Sequence, residues 1–116
     1  MKEYVNTINL GYFKGKQIIL MTCKYINGNL ALFLVNHNNI EYETITEYVK
    51  RPSTKLEYIY LNPNISEELI NFLIKKKVIY NKFTRVEVEG NNYLVTIVYP
   101  KVLELLNVDK IREKLS

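Results

Sequence analysis

The chain has 116 residues, of which 47% are hydrophobic and 24% charged, a composition that excludes a disordered chain and suits one globular domain with its own core. Its 16 Lys and Arg against 12 Asp and Glu give a formal net charge of +4, which admits nucleic acid as a partner and excludes an acidic mimic of the phosphate backbone. The longest unbroken apolar run, from Leu30 to Val35, is far short of the roughly 20 residues of a membrane-spanning helix.

Residues 1–6 carry no apolar stretch followed by a small-residue cleavage site, so a cytoplasmic protein without a membrane partner is expected. A lone cysteine, Cys23, leaves no internal disulfide and agrees with a reducing compartment.

The first half is rich in Tyr, Ile, Val and Thr with period-two alternation, the pattern of strands whose successive side chains face opposite sides. Residues 8–12 read as the first strand, with Lys14, Gly15 and Lys16 as its turn. Residues 17–25 form the second. Asn27-Gly28 is the strongest hairpin signal in the chain, and a type I′ turn is expected there. Residues 30–36 return antiparallel, followed by a turn at Asn36, His37, Asn38 and Asn39, whose side chains bond their own backbone.

Residues 40–48 read as a further strand. Glu41, Glu43 and Glu47 share one parity, which predicts a solvated face, and Tyr42, Thr44, Thr46 and Tyr48 share the other. Lys50, Arg51 and Lys55 make a basic loop, and residues 56–61 a short aromatic strand. Pro63 to Glu68 is a helix start, with Asn64 or Ser66 as N-cap and two carboxylates placed where the helix dipole favours them. The helix is expected to run to about Lys77, with Ile65, Leu69, Phe72 and Leu73 as its apolar stripe. Residues 85–89 and 93–99 flank Gly90, Asn91 and Asn92 as a second hairpin. Pro100 opens a C-terminal helix carrying Val102, Leu105, Leu106 and Ile111, with an interruption at residues 107–109. These elements predict an α+β fold, one antiparallel sheet of about five to seven strands with two helices packed on it, in a single domain spanning residues 1–116.

Catalytic chemistry has little to stand on. Cys23 and His37 could form a nucleophile pair, but Cys23 sits mid-strand, where a free cysteine usually acts as a small buried hydrophobe, and His37 lies in an Asn-rich turn. One Cys and one His cannot build a zinc site. The four glycines stand in separate turns and form no phosphate-cradling loop, so neither a metal nor a cofactor is expected. Paired carboxylates such as Glu41 and Glu43, or Glu67 and Glu68, read as a solvated strand face and a charged first helical turn.

Residues 75–85 hold five cations, no acid and two aromatics. Lys75, Lys76, Lys77, Lys82 and Arg85 could pair phosphates while Tyr80 and Phe83 stack bases. The plainer reading is a helix end solvated by lysines and a connector that covers the core. Ten tyrosines and no tryptophan suit both strands and a contact surface.

Tyr25, Asn27, Gly28, Leu30 and Ala31, followed by Leu34 and a Thr-containing strand at residues 44–46, resemble the Tyr-x-Asn-Gly-x-Leu-Ala signature of a small family of unknown function. That family occurs in phages, plasmids and integrative elements of Firmicutes. Its strand, short helix and closing hairpin are similar in order to residues 58–99 here. Where the family has Gly before Ile at the helix exit, this chain has Lys77-Val78. Asn27-Gly28 is accounted for as a hairpin turn, so the motif itself carries no functional residue.

The resemblance implies an accessory protein of a mobile element. The expected function is that of a non-enzymatic binding protein whose partner is a host or mobile-element protein, modulating or inhibiting a host nucleoprotein or defence complex in the manner of an anti-CRISPR protein. The alternative is direct nucleic-acid binding through residues 75–85. Tyrosine-rich sheet edges leave both a monomer and a homodimer open.

Overall fold

The computed structural model describes residues 7–36 and 41–107. Among these, β1 (Thr7–Phe13), β2 (Lys16–Lys24), β3 (Leu30–Val35), β4 (Glu41–Thr44) and β5 (Tyr58–Tyr60) precede α1 (Glu67–Lys75). After it come β6 (Thr84–Val88), β7 (Asn91–Ile97), the short α2 (Pro100–Glu104) and a 3-10 turn (Leu105–Asn107). The fold is α+β, but its strands form two antiparallel sheets, correcting the expected single one: β1-β2-β3-β4 in one and β5-β7-β6 in the other.

The division has its cause at residues 44–47. β4 ends at Thr44 instead of continuing to Tyr48. The Ile45 N–H still donates to the Leu32 carbonyl at 3.0 Å, but the Glu47 N–H donates to Tyr60 at 3.0 Å and Thr46 pairs with Leu61. The chain thus steps from the first sheet to the second within a few residues. Ile45, which shares the parity of Glu41 and Glu43, is buried at that step, and so is Val49 just beyond it. Buried Leu32, Leu34 and Leu20 of the first sheet, Ile59 and Leu61 of the second, Leu69 and Leu73 of α1, and Val102 of α2 share one apolar cluster.

The turns also differ from expectation. The Gly28 N–H donates to the Tyr25 carbonyl and the Tyr25 N–H to the Asn29 carbonyl, both at 2.8 Å, and only Gly28, at φ 91°, is left-handed. This is a three-residue loop closed by a glycine bulge, not a type I′ turn. Paired positive φ values occur instead at Lys14 (51°) with Gly15 (80°), and at Glu89 (52°) with Gly90 (84°). The second hairpin therefore turns at Glu89-Gly90, and Asn91 and Asn92 belong to β7.

Ser66 is the N-cap of α1, its Oγ accepting from the Leu69 N–H at 3.1 Å. The helix ends at Lys75, short of the expected Lys77. The Lys77 N–H donates to Ile74 at 3.0 Å and the Val78 N–H to Leu73 at 2.9 Å, the paired bonds of a Schellman motif. Lys77 itself takes φ 62°, the left-handed position that glycine fills at lowest cost. Phe72 meets Phe13 with ring centroids 4.9 Å apart, and Lys14 pairs with Glu68 at 2.6 Å, so the first hairpin lies against α1. Pro100 opens α2 at its first turn as expected, but the helix closes at Glu104 and passes into the 3-10 turn. His37 and Ile111 lie outside the described residues.

Cys23 is exposed, against its expected burial. Leu20 and Thr22 of β2 face the core, and strand alternation turns Cys23 to the opposite side.

Candidate binding groove

The outer face of the second sheet follows from its register. Tyr58 opposes Ile97, Tyr60 and Thr84 both oppose Val95, and Val86 opposes Tyr93, so these side chains share one side of the pleat. Ile59, Leu61 and Thr96 point the other way, into the core, and are buried. Outward-facing Tyr58, Val86, Val95 and Ile97 remain only half-buried. They floor a groove of about 330 Å³.

One wall is the basic loop, through Arg51, Pro52, Ser53 and Thr54. The other carries Lys82 and Thr84 at the entry to β6. Of the described lining residues, Arg51 and Lys82 bear charge and none is acidic. Two basic segments far apart in sequence therefore supply one cation each to the rim of an apolar trough.

Both walls are fixed by side chains that bond backbone. The Asn27 side-chain amide donates to the Val49 carbonyl at 2.8 Å. Buried Asn29 donates through Nδ2 to the Arg51 carbonyl at 3.1 Å, and its Oδ1 accepts from the Ser53 N–H at 2.8 Å. Ser53 Oγ in turn donates to the Lys55 carbonyl at 2.9 Å. The turn of the β2–β3 hairpin thus clamps the irregular loop at residues 49, 51 and 53, satisfying polar backbone that has no strand partner. A further contact holds the hairpin itself, since Tyr25 Oη and Thr46 Oγ1 share a hydrogen bond of 2.9 Å and Thr46 Oγ1 also accepts from the Leu32 N–H at 3.1 Å. Partial burial pushes the Tyr25 phenol above its usual pKa, with the hydrogen bond to Thr46 acting against that rise.

On the opposite wall, the Thr96 hydroxyl lies 2.7 Å from the Lys82 carbonyl and 3.1 Å from that of Tyr80. The Tyr80 N–H donates to Ile97 at 2.9 Å. Residues 78–82 are held alongside β7, and Lys82 projects from a fixed backbone.

The residues singled out at 75–85 are dispersed. Lys75 lies exposed in the last turn of α1. Lys76 Nζ stands 5.7 Å from the Phe72 ring centroid, and the Lys76 carbonyl accepts from Lys101 Nζ at 2.8 Å. Lys77 Nζ is 5.9 Å from the Tyr99 ring, and Tyr80 stacks on that same ring with centroids 4.1 Å apart. One face of Tyr80 is therefore already occupied. Arg85 lines a separate cleft with Pro63, Ile70 and Leu94, because alternation along β6 turns it away from Thr84 and Val86. Phe83 is exposed. Lys82 alone of the set reaches the groove.

The clamp was missed in the sequence, where Asn27-Gly28 reads fully as a turn. Its available signal was the Asn-x-Asn spacing of Asn27 and Asn29, two side chains able to bond backbone beyond their own hairpin. The groove's signal was the repeated apolar alternation of Tyr58 with Tyr60, Val86 with Val88, and Val95 with Ile97.

The described residues contain no group of three or more His, Cys, Asp or Glu placed to hold a metal ion. Cys23 is exposed as a residue, but partial desolvation by its neighbours still pushes its thiol above its usual pKa, which disfavours the nucleophilic thiolate. No described helix is long and apolar enough to cross a membrane. No protein-family model, curated protein or solved structure matches the chain.

Proposed function

We propose that this chain is a non-catalytic binding protein that engages a partner protein through the groove on its second sheet. The observation that carries the reading is the groove itself: a half-exposed floor of Tyr58, Val86, Val95 and Ile97, set between walls that hydrogen bonds tie to the rest of the fold. Preformed apolar troughs with few polar groups bind small ligands, and comparable grooves take extended or helical segments of partner proteins. The groove's described lining residues include no His, Cys, Asp or Glu, the groups that most often move protons or form covalent intermediates. Tyrosine and β-branched side chains supply contact area with little conformational entropy to lose.

The resemblance at Tyr25, Asn27, Gly28, Leu30 and Ala31 supports a biological setting in a phage or other mobile element, with a host or mobile-element protein as partner and modulation of a host defence or nucleoprotein complex as the outcome. Direct nucleic-acid binding through residues 75–85 is less well supported, since their cations and rings face different parts of the surface. Phosphate binding needs cations along a continuous track.

The test is capture from Firmicute host lysate with tagged chain and with its Ile97→Asp variant, each with and without nuclease. Capture of a nuclease-resistant protein by the parent chain, lost with a folded Ile97→Asp variant, is expected. Recovery of nuclease-sensitive material alone, or capture indifferent to Ile97→Asp, would overturn the proposal.

A further inference from the structure

Resting on the groove as the binding surface, we infer that its occupant is an acidic, extended peptide segment of a partner protein, with an apolar side chain seated on the floor and carboxylates on either side of it. Charge constrains the occupant first. Arg51 stands on one wall and Lys82 on the other, and none of the described lining residues is acidic. A neutral apolar segment would desolvate both cations in part without compensation, whereas a carboxylate at each wall converts that cost into charge-assisted hydrogen bonds.

Geometry sets the spacing. The floor crosses β5, β7 and β6, and adjacent strands lie about 4.8 Å apart, so the trough spans roughly 10 Å between its outer strands. An extended chain rises about 3.3 Å per residue, which places the two carboxylates about two to four residues apart around the apolar anchor. Both walls are anchored through backbone, the Arg51 carbonyl to Asn29 and the Lys82 carbonyl to Thr96, so little loop ordering remains to oppose binding.

Two other occupants fit less well. Single-stranded nucleic acid needs several ring faces presented for stacking, but Tyr60 is 6% exposed and meets Tyr93 edge-on at 5.9 Å, which leaves Tyr58 as the one half-exposed ring among the described lining residues. Val86, Val95 and Ile97, which make up most of the floor, offer no π surface. A second copy packed groove to groove would bring the cations Arg51 and Lys82 of each copy together with no carboxylate among the described lining residues between them, a repulsive arrangement.

The experiment is selection of a random displayed peptide library on the full chain, followed by fluorescence anisotropy of the best selected peptide, labelled with fluorescein. Parent chain, Arg51→Glu, Lys82→Glu and Ile97→Asp are compared, each checked for folding by its amide NMR spectrum. The expected peptides carry acidic residues around an apolar one. Each charge reversal weakens binding by at least about tenfold, and a peptide with its acids changed to Lys regains affinity for the Arg51→Glu, Lys82→Glu double variant. Peptides lost with Ile97→Asp but indifferent to both charge reversals would overturn the acidic segment while leaving the groove as a binding surface. Peptides indifferent to all three variants would overturn both readings. Preference for oligo(dT) over every selected peptide, or a dimer in sedimentation that Ile97→Asp dissolves, would overturn the inference in favour of nucleic acid or of a second copy.

Discussion

The basic loop around Arg51 and the basic stretch from Lys75 to Arg85 both concentrate positive charge, yet the fold treats them in opposite ways. The loop has no regular secondary structure, and its order comes from elsewhere: Asn27 and Asn29 reach from a hairpin more than 20 positions earlier to bond the carbonyls of Val49 and Arg51 and the N–H of Ser53. Its cation is thereby presented over an apolar floor. The later stretch is more regular, comprising a helix end, a Schellman turn and a strand, and that regularity scatters its charges. Lys76 and Lys77 settle near the rings of Phe72 and Tyr99, and alternation along β6 sends Arg85 away from the groove. Charge density along a chain is therefore a poor guide to a charged site. What matters is whether the backbone beneath the charges turns them the same way.

The clamp is the point at which this comparison is most open to attack. Asn29→Ala removes both polar ends of a buried side chain and leaves the Arg51 carbonyl and the Ser53 N–H without their partner, so stability should fall by about 1–3 kcal/mol. Hydrogen exchange should show the Ser53 amide losing protection while amides of α1 keep theirs in proportion to global stability. Retained protection at Ser53 would mean that the loop orders itself.

Next in size is Tyr25→Phe, which deletes the hydrogen bond to Thr46 and should cost about 1 kcal/mol in urea unfolding. The same variant carries a pH signature. The Tyr25 phenol has a raised pKa in the folded state, so the folded state holds this proton more tightly than the unfolded one. Its contribution is complete below the unfolded value, near 10, and is lost as pH rises through the folded value. Tyr25→Phe should accordingly show a shallower loss of stability at alkaline pH than the parent.

A change at the helix exit sharpens the contrast from the other side. Lys77 occupies a left-handed position at φ 62°, so Lys77→Gly should stabilise the chain by roughly 0.5–1 kcal/mol, read as a higher urea midpoint. Lys75→Ala combined with Lys76→Ala should lower stability by no more than about 1 kcal/mol, through weaker complementation of the helix dipole. Groove binding should be unchanged by that pair.

Much of the fold was legible beforehand because local rules governed it. The capping of α1, narrowed to Asn64 or Ser66 and made by Ser66, the apolar stripe of Leu69, Phe72 and Leu73, and the Pro100 helix start each depend on neighbours within one turn. The step between sheets was not legible, because Ile45 leaves one hydrogen-bonded partner for another and no residue near it breaks a strand pattern. The Asn27-Gly28 turn type was misread since Asn-Gly serves both two-residue and three-residue loops. The groove required knowledge that residues 51 and 82 flank the same three strands, a tertiary fact that neither segment encodes alone. The asparagines were visible as turn formers, but their bonds to residues 49, 51 and 53 span more than 20 positions.

The most direct test of the account compares Arg51→Glu with Lys75→Glu in binding the partner captured by the parent chain, measured by titration at one fixed ionic strength. Both reverse one charge from the same overall net value, but only the first alters the groove. A loss of at least about tenfold is expected for Arg51→Glu and a change within about twofold for Lys75→Glu. Equal losses, or the larger loss at Lys75, would contradict the account and return the binding surface to the end of α1.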